Sequence, residues 1–212
     1  MGAKQTTPVV HQFEPITTLA KPITNLANAG LPYSLTNSQC IFYKDEILIC
    51  GGYRIRECYS YHIQKQQYKF ICSYPPAVVL EGHCVLKLKG NNGQGITLLS
   101  FGGQDENEIK YTFVMKYRSV WDEEKSESEF VDENQWVPWV HNNKVVQLGR
   151  LKDNFRGVRG VIGGKKSDML FITYFPDKID VFNLRTFKYI INVKNSTLPT
   201  QPHRYGIHFH CF

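Results

Sequence analysis

The chain has 212 residues, 42% hydrophobic, 13% aromatic and 21% charged, which is enough apolar material for a core in one or two domains and excludes a disordered tail. No apolar run approaches the roughly 18 residues that span a bilayer, and residues 1–20 hold no continuous apolar core, so no transmembrane helix or secretory signal is expected and a cytoplasmic location follows as an expectation. The net charge of +6 is diffuse: residues 122–133 carry seven acids and one lysine, a local −6, so the remainder carries +12, scattered without the aromatic interleaving that would point to nucleic acid.

Residues 1–30 read as an N-terminal arm. They contain a near-duplication, PITTLAK at 15–21 and PITNLAN at 22–28, but two copies do not make a solenoid. Gly2 with Thr6 fits the N-myristoylation pattern. One acyl chain without a polybasic cluster gives only marginal, reversible membrane binding. From residue 31 the pattern changes to short runs of period two, the strand signal.

Three anchors recur along residues 31–212. The first is a proline-marked linker at Pro32, at Pro75 and Pro76, and at Pro199, where proline fixes φ and removes a ladder donor. The second is a small residue in an apolar strand: Cys40, Cys84, Gly160 and Cys211. These four predict the first strands of successive units, with small side chains where strands crowd a common axis. The third is a second strand at 47–53, 98–104 and 169–175, ending in Gly51-Gly52 and Gly102-Gly103 in the first two copies. A diglycine lets the chain leave the strand sharply. The third copy lacks one; Gly163-Gly164 precedes it and reads as the hairpin turn between first and second strands. Third and fourth strands are expected at 57–63 and 68–74, 111–121 and 135–140, and 178–184 and 187–193, with the acidic segment 122–133 as an enlarged turn in the second unit.

This order of apolar strand, Gly-Gly, tyrosine-bearing strand and later aromatic resembles the kelch repeat. Gly51-Gly52 with Tyr61 and Tyr68 matches well, Gly102-Gly103 with Tyr117 and a displaced Trp121 or Trp136 less well, and the third unit keeps Phe182 and Phe187. The resemblance covers residues 31–212 and is greatest to divergent protist-type kelch-motif proteins. It implies an all-β chain: a kelch-type β-propeller fragment of about three four-stranded antiparallel blades, at about 33–75, 80–140 and 156–198, plus the first strand of a fourth at 203–212. A closed propeller has about four to eight blades, so an incomplete ring is expected, completed by further sequence or by a second chain.

The chemistry-bearing residues are sparse. His203, His208, His210 and Cys211 do not converge in an extended strand, because alternate residues point to opposite faces. Residues 90–95 are glycine-rich but lie between strands rather than before a helix, so a hairpin turn is expected there rather than a phosphate loop. Asp105, Glu106, Asn107 and Glu108 lack calcium-loop spacing. No GxSxG elbow or P-loop occurs. The six cysteines form no CxxC pair and sit mostly in apolar runs, so they are expected reduced and mostly buried.

The expected function is that of a non-catalytic scaffold that binds another protein through its loops, with no cofactor, metal or catalytic residue. The residues placed at the contact are Tyr53, Arg54 and Arg56 in one loop and Gln104, Asp105 and Glu106 in the next, with the acidic turn as a second surface. Two alternatives remain: a copper radical oxidase-like propeller enzyme, the enzymatic branch that the kelch resemblance implies, and a peripheral membrane adaptor myristoylated at Gly2. Thirty residues before the repeats are too few for the adaptor domains that link kelch proteins to ubiquitin ligases.

Overall fold

The structure is a computed structural model and describes residues 30–31, 33–89, 95–104, 106–122, 133–195, 206–207 and 209–210. Among these there is no helix. The described residues are all-β, in four antiparallel sheets of two to four strands, none of them closed.

Three of the sheets are four-stranded meanders whose strand order follows the sequence. Sheet one comprises β1 (Gln39–Tyr43), β2 (Glu46–Gly52), β3 (Ile55–His62) and β4 (Gln67–Ser73). Sheet two comprises β5 (His83–Leu88), β6 (Ile96–Gly102), β7 (Tyr111–Tyr117) and β8 (Val137–Pro138). Sheet three comprises β11 (Asn154–Gly163), β12 (Met169–Phe175), β13 (Lys178–Asn183) and β14 (Lys188–Tyr189). Their first strands are neighbours: β5 lies against β1 on one side and β11 on the other.

Sheet two buries both faces of its middle strands, whereas sheets one and three bury mainly the face that sheet two covers, and alternation decides which residue goes where. Leu48, Cys50, Cys58 and Cys72 of sheet one meet Val85, Leu98, Phe113 and Met115 of sheet two in one core. Cys84, Leu99 and Phe101, on the opposite face of sheet two, meet Phe155, Val158, Leu170 and Ile172 of sheet three in a second. Sheet two is therefore the filling of a three-layer stack. On β1, Ile41 packs inward against the first core, while its neighbour Phe42 points out and is 66% exposed.

The diglycines sit where these layers touch. Gly51 and Gly102 both have positive φ, +56° and +76°. A Cβ on Gly51 would lie 2.6 Å from Leu80 Cδ1, and one on Gly102 would lie 2.4 Å from Val158 Cγ1. The two positions thus need glycine twice over, for backbone conformation and for the close approach of Leu80, on the segment leading into β5, and of Val158, on β11.

Pairing register corrects the alignment of the small residues. Cys84 pairs with Phe101, the residue before Gly102, whereas Cys40 pairs with Ile49, two residues before Gly51, and Gly160 pairs with Ile172. A slip of one residue reverses the face. The residues equivalent to Cys84 are Gln39, which pairs with Cys50, and Arg159, which pairs with Thr173. A shared backbone feature supports this register: two positions earlier, Asn37, Gly82 and Gly157 all have positive φ, at +56°, +70° and +71°. Phe209 continues the series at +51°, and Cys211 beyond it lies outside the described residues.

A small hairpin, β9 (Val140–His141) and β10 (Lys144–Val145), was not expected from the sequence. Asn142 and Asn143 turn it with φ of +49° and +59°, the conformation of a two-residue primed turn. It shortens the expected fourth strand of sheet two to Val137–Pro138 and stacks His141 on Phe187 of sheet three, ring centroids 3.7 Å apart.

Candidate functional site

The loops that follow the two diglycines converge on one groove. The β2–β3 turn is held from both sides, the Tyr53 amide donating to the Thr36 carbonyl at 2.7 Å and the Arg54 amide to the Leu80 carbonyl at 2.9 Å. Arg54 itself has φ +56°, and its side chain reaches the next unit. There Arg54 Nη2 meets Glu106 Oε1 at 2.9 Å. Arg56, on β3, donates from Nη1 to the Tyr74 carbonyl at 3.2 Å. Between them lies a cleft of about 350 Å³ with Pro76, Val78 and Val79 as its apolar part and Arg54, Arg56, Glu81, Glu106 and Asn107 as its polar part. Glu81 is paired in turn with Arg156 of sheet three at 3.2 Å.

The Arg54–Glu106 pair is exposed on both sides, 57% and 79%. Exposed ion pairs contribute about 1 kcal/mol or less, because water screens them and two long side chains must be held still. Such a pair opens easily, and an incoming carboxylate can take the place of Glu106. Arginine suits the exchange, since its planar fork presents five N–H donors and meets a carboxylate two at a time.

The residues expected at the contact divide. Arg54, Arg56 and Glu106 line the groove. Tyr53 is exposed beside it, its ring 5.3 Å from the Arg54 guanidinium carbon. Gln104 does not line the groove: it is buried, and its Oε1 accepts the Phe155 amide at 2.6 Å, fastening β11 to sheet two. Asp105, the greater part of the acidic turn 122–133, and Gly2 lie outside the described residues.

The repeat residues serve the packing of sheets. Tyr61 and Tyr68 are register partners on β3 and β4 with ring centroids 4.7 Å apart. A Cβ on Gly160 would lie 2.9 Å from Phe101 Cζ, and one on Gly103 would lie 2.7 Å from His83 Cβ. Gly52 is hemmed in by the Thr36 carbonyl at 2.9 Å from a built Cβ. Cys84 is buried, while Cys40 is exposed because its register turns it away from sheet two.

Three polar clusters escaped the sequence reading. Glu46 is a buried carboxylate that accepts from Ser60 Oγ at 2.6 Å and from the Tyr117 hydroxyl, and Ser60 Oγ accepts from Trp121 Nε1 at 2.8 Å. Burial and the Glu46 carboxylate push the Tyr117 phenol well above its usual range, so it remains a donor. Asp180, also buried, gathers Arg150 Nη1 at 2.6 Å, the Tyr174 hydroxyl at 3.0 Å and Asn195 Nδ2 at 2.6 Å. His83 is fully buried, with Nε2 3.0 Å from the Cys50 carbonyl and Nδ1 without a hydrogen-bond partner; burial pushes its pKa down to about 4. The one local signal was the position of Glu46 and Asp180 inside otherwise strand-like runs, where a carboxylate must be paired to be buried.

Among the described residues, no group of three or more His, Cys, Asp or Glu side chains has metal-holding geometry, and no helix is long and apolar enough to cross a membrane. No protein-family model matches the sequence, and no curated protein matches it.

Proposed function

We propose that this chain is part of a kelch-type β-propeller that works as a non-catalytic scaffold, binding a partner protein in the groove between the β2–β3 turn and the loop after β6. The observation that carries the reading is the convergence of Arg54, Arg56 and Glu106 on one cleft with an apolar wall. Three four-stranded meanders with neighbouring first strands support the propeller part, since radial stacking of such sheets is how blades are arranged.

The groove chemistry describes the partner. Two arginines beside Pro76, Val78 and Val79 suit an exposed segment in which a carboxylate is followed closely by apolar side chains. The carboxylate displaces Glu106 from Arg54, and the apolar residues cover the valines. Rim charges of this kind set encounter rate and selectivity, and the desolvated apolar contact contributes most of the affinity. The five described cysteines are free, which fits a reducing compartment such as the cytoplasm.

The test is quantitative capture from cytosolic extract with the full chain and with the double variant Arg54→Glu, Arg56→Glu. The expected result is a partner retained by the native chain and lost by the variant, whose fold is checked by circular dichroism. Capture that is indifferent to the double variant refutes the groove.

A further inference from the structure

Cys50, Cys58 and Cys72 occupy one row across β2, β3 and β4. Cys50 and Cys58 are register partners, and so are Cys58 and Cys72. Directly opposed residues on antiparallel strands have Cα atoms about 4.5–5.5 Å apart and side chains on the same face, which falls within the span of about 4.4–6.8 Å that a disulfide bridges. All three thiols are free. They face the first core, where Cys72 Sγ lies 3.6 Å from Met115 Sδ and Trp136 Nε1 donates to Cys58 Sγ at 3.3 Å.

The row is chemically uneven. Burial pushes the Cys58 thiol up, but hydrogen bonds from Cys50, Cys72 and Trp136 outweigh it and hold Cys58 well below the usual thiol range. The same contacts and burial drive Cys72 up. The three donors to Cys58 favour a thiolate there over one at Cys72, and that preference makes Cys58 the attacking and Cys72 the resolving thiol. Access differs as well: Cys50 and Cys58 are fully buried, whereas Cys72 keeps 8% of its surface on β4, the last strand in the order of sheet one. Terminal strands open locally at lower free energy than central ones.

We propose that Cys58 and Cys72 are a modification site, a dithiol pair that a hydroperoxide oxidises to a cross-strand disulfide. The Cys58 thiolate attacks the outer peroxide oxygen, the O–O bond breaks, and the departing alkoxide takes a proton, leaving Cys58 as sulfenic acid. The Cys72 sulfur then attacks the Cys58 sulfur, and the hydroxyl leaves as water with the Cys72 proton. Two thiols and one hydroperoxide give one disulfide, one alcohol and one water. The site is independent of whatever the groove binds.

The experiment treats the folded full-length chain with tert-butyl hydroperoxide, blocks remaining thiols by alkylation under denaturing conditions, and maps tryptic peptides by mass spectrometry. Cys58 falls in peptide 57–65 and Cys72 in peptide 70–87, which also holds Cys84, so fragmentation assigns the bridge. The expected product joins Cys58 to Cys72, is lighter by two hydrogens than the two free peptides together, and disappears on treatment with dithiothreitol. The variant Cys84→Ala is expected to give the same bridge, and Cys72→Ser to leave Cys58 as a sulfenic acid that dimedone traps. Complete alkylation of Cys58 and Cys72 after peroxide, or a bridge from Cys58 to Cys50 or Cys84 instead, overturns the proposal. These readouts come from the native chain and do not depend on any variant folding.

Discussion

Replacing Gly102 by alanine tests the close approach of sheets two and three. The new methyl group meets two costs. Gly102 has φ +76°, and a β-carbon in left-handed backbone costs about 1–2 kcal/mol. Its Cβ would also stand 2.4 Å from Val158 Cγ1, with the Phe155 carbonyl oxygen 3.3 Å away on the same side. Val158 is itself fully buried, and overpacking a filled core costs about 1–3 kcal/mol. The sum is about 2–5 kcal/mol, a large share of the stability of a domain this size. Gly163→Ala is the control, because φ there is not positive and its nearest neighbour is the Phe171 ring edge at 3.2 Å, a side chain able to shift. Urea unfolding followed by tryptophan fluorescence reads both variants, compared at equal m-value. Gly102→Ala is expected to move the midpoint far down and Gly163→Ala to leave it within about 1 kcal/mol. Equal effects at the two positions would refute the close approach of sheets two and three.

Further expectations concern the buried charges. Tyr117→Phe removes one donor from the Glu46 carboxylate and is expected to cost about 1–3 kcal/mol, read by thermal unfolding; a neutral result means that water reaches Glu46. Arg150→Ala takes the cation from Asp180 but leaves Tyr174 and Asn195 in place, and Arg150 is half exposed, so the loss is expected near 1–2 kcal/mol rather than that of a fully buried pair. His83 makes stability pH-dependent. Its folded pKa is depressed from 6.5 to about 4, so between those values the unfolded chain binds the extra proton. Stability is therefore lost as pH falls from about 6.5 toward 4, by up to about 3 kcal/mol. His83→Gln, which can still donate to the Cys50 carbonyl, is expected to flatten that part of the profile in denaturation at stepped pH.

The strands were legible because period-two alternation is local. β2 and β12 carry unbroken apolar runs, and β4 and β13 alternate, so each could be placed within a residue or two. The β11–β12 hairpin was equally plain from Gly163-Gly164. Register was not legible, because Cys40, Cys84 and Gly160 look alike in sequence while pairing with non-equivalent partners on the second strand. The β9–β10 hairpin was missed although Asn142-Asn143 is a recognisable turn signal, since the neighbouring Trp136, Val137, Trp139 and Val140 read as one strand. At the groove, Arg54, Arg56 and Glu106 could be found because they follow the diglycines. The burial of Gln104 was not legible for the opposite reason: a polar residue beside a loop reads as exposed, and its bond to the Phe155 amide is a contact across 51 positions that no local pattern encodes. Glu46, Asp180 and His83 depend on long-range partners in the same way.

Site-specific photocrosslinking tests whether the groove is the contact surface. A photoreactive amino acid is placed at Val79, in the groove wall, and in a second chain at Leu151, which is 83% exposed and lies outside the groove. If the groove holds the partner, one discrete crosslinked protein is expected from Val79, lost when Arg54 and Arg56 are both changed to glutamate, and no such band from Leu151. The same band from both positions, or a band from Val79 that persists in the double variant, would contradict it.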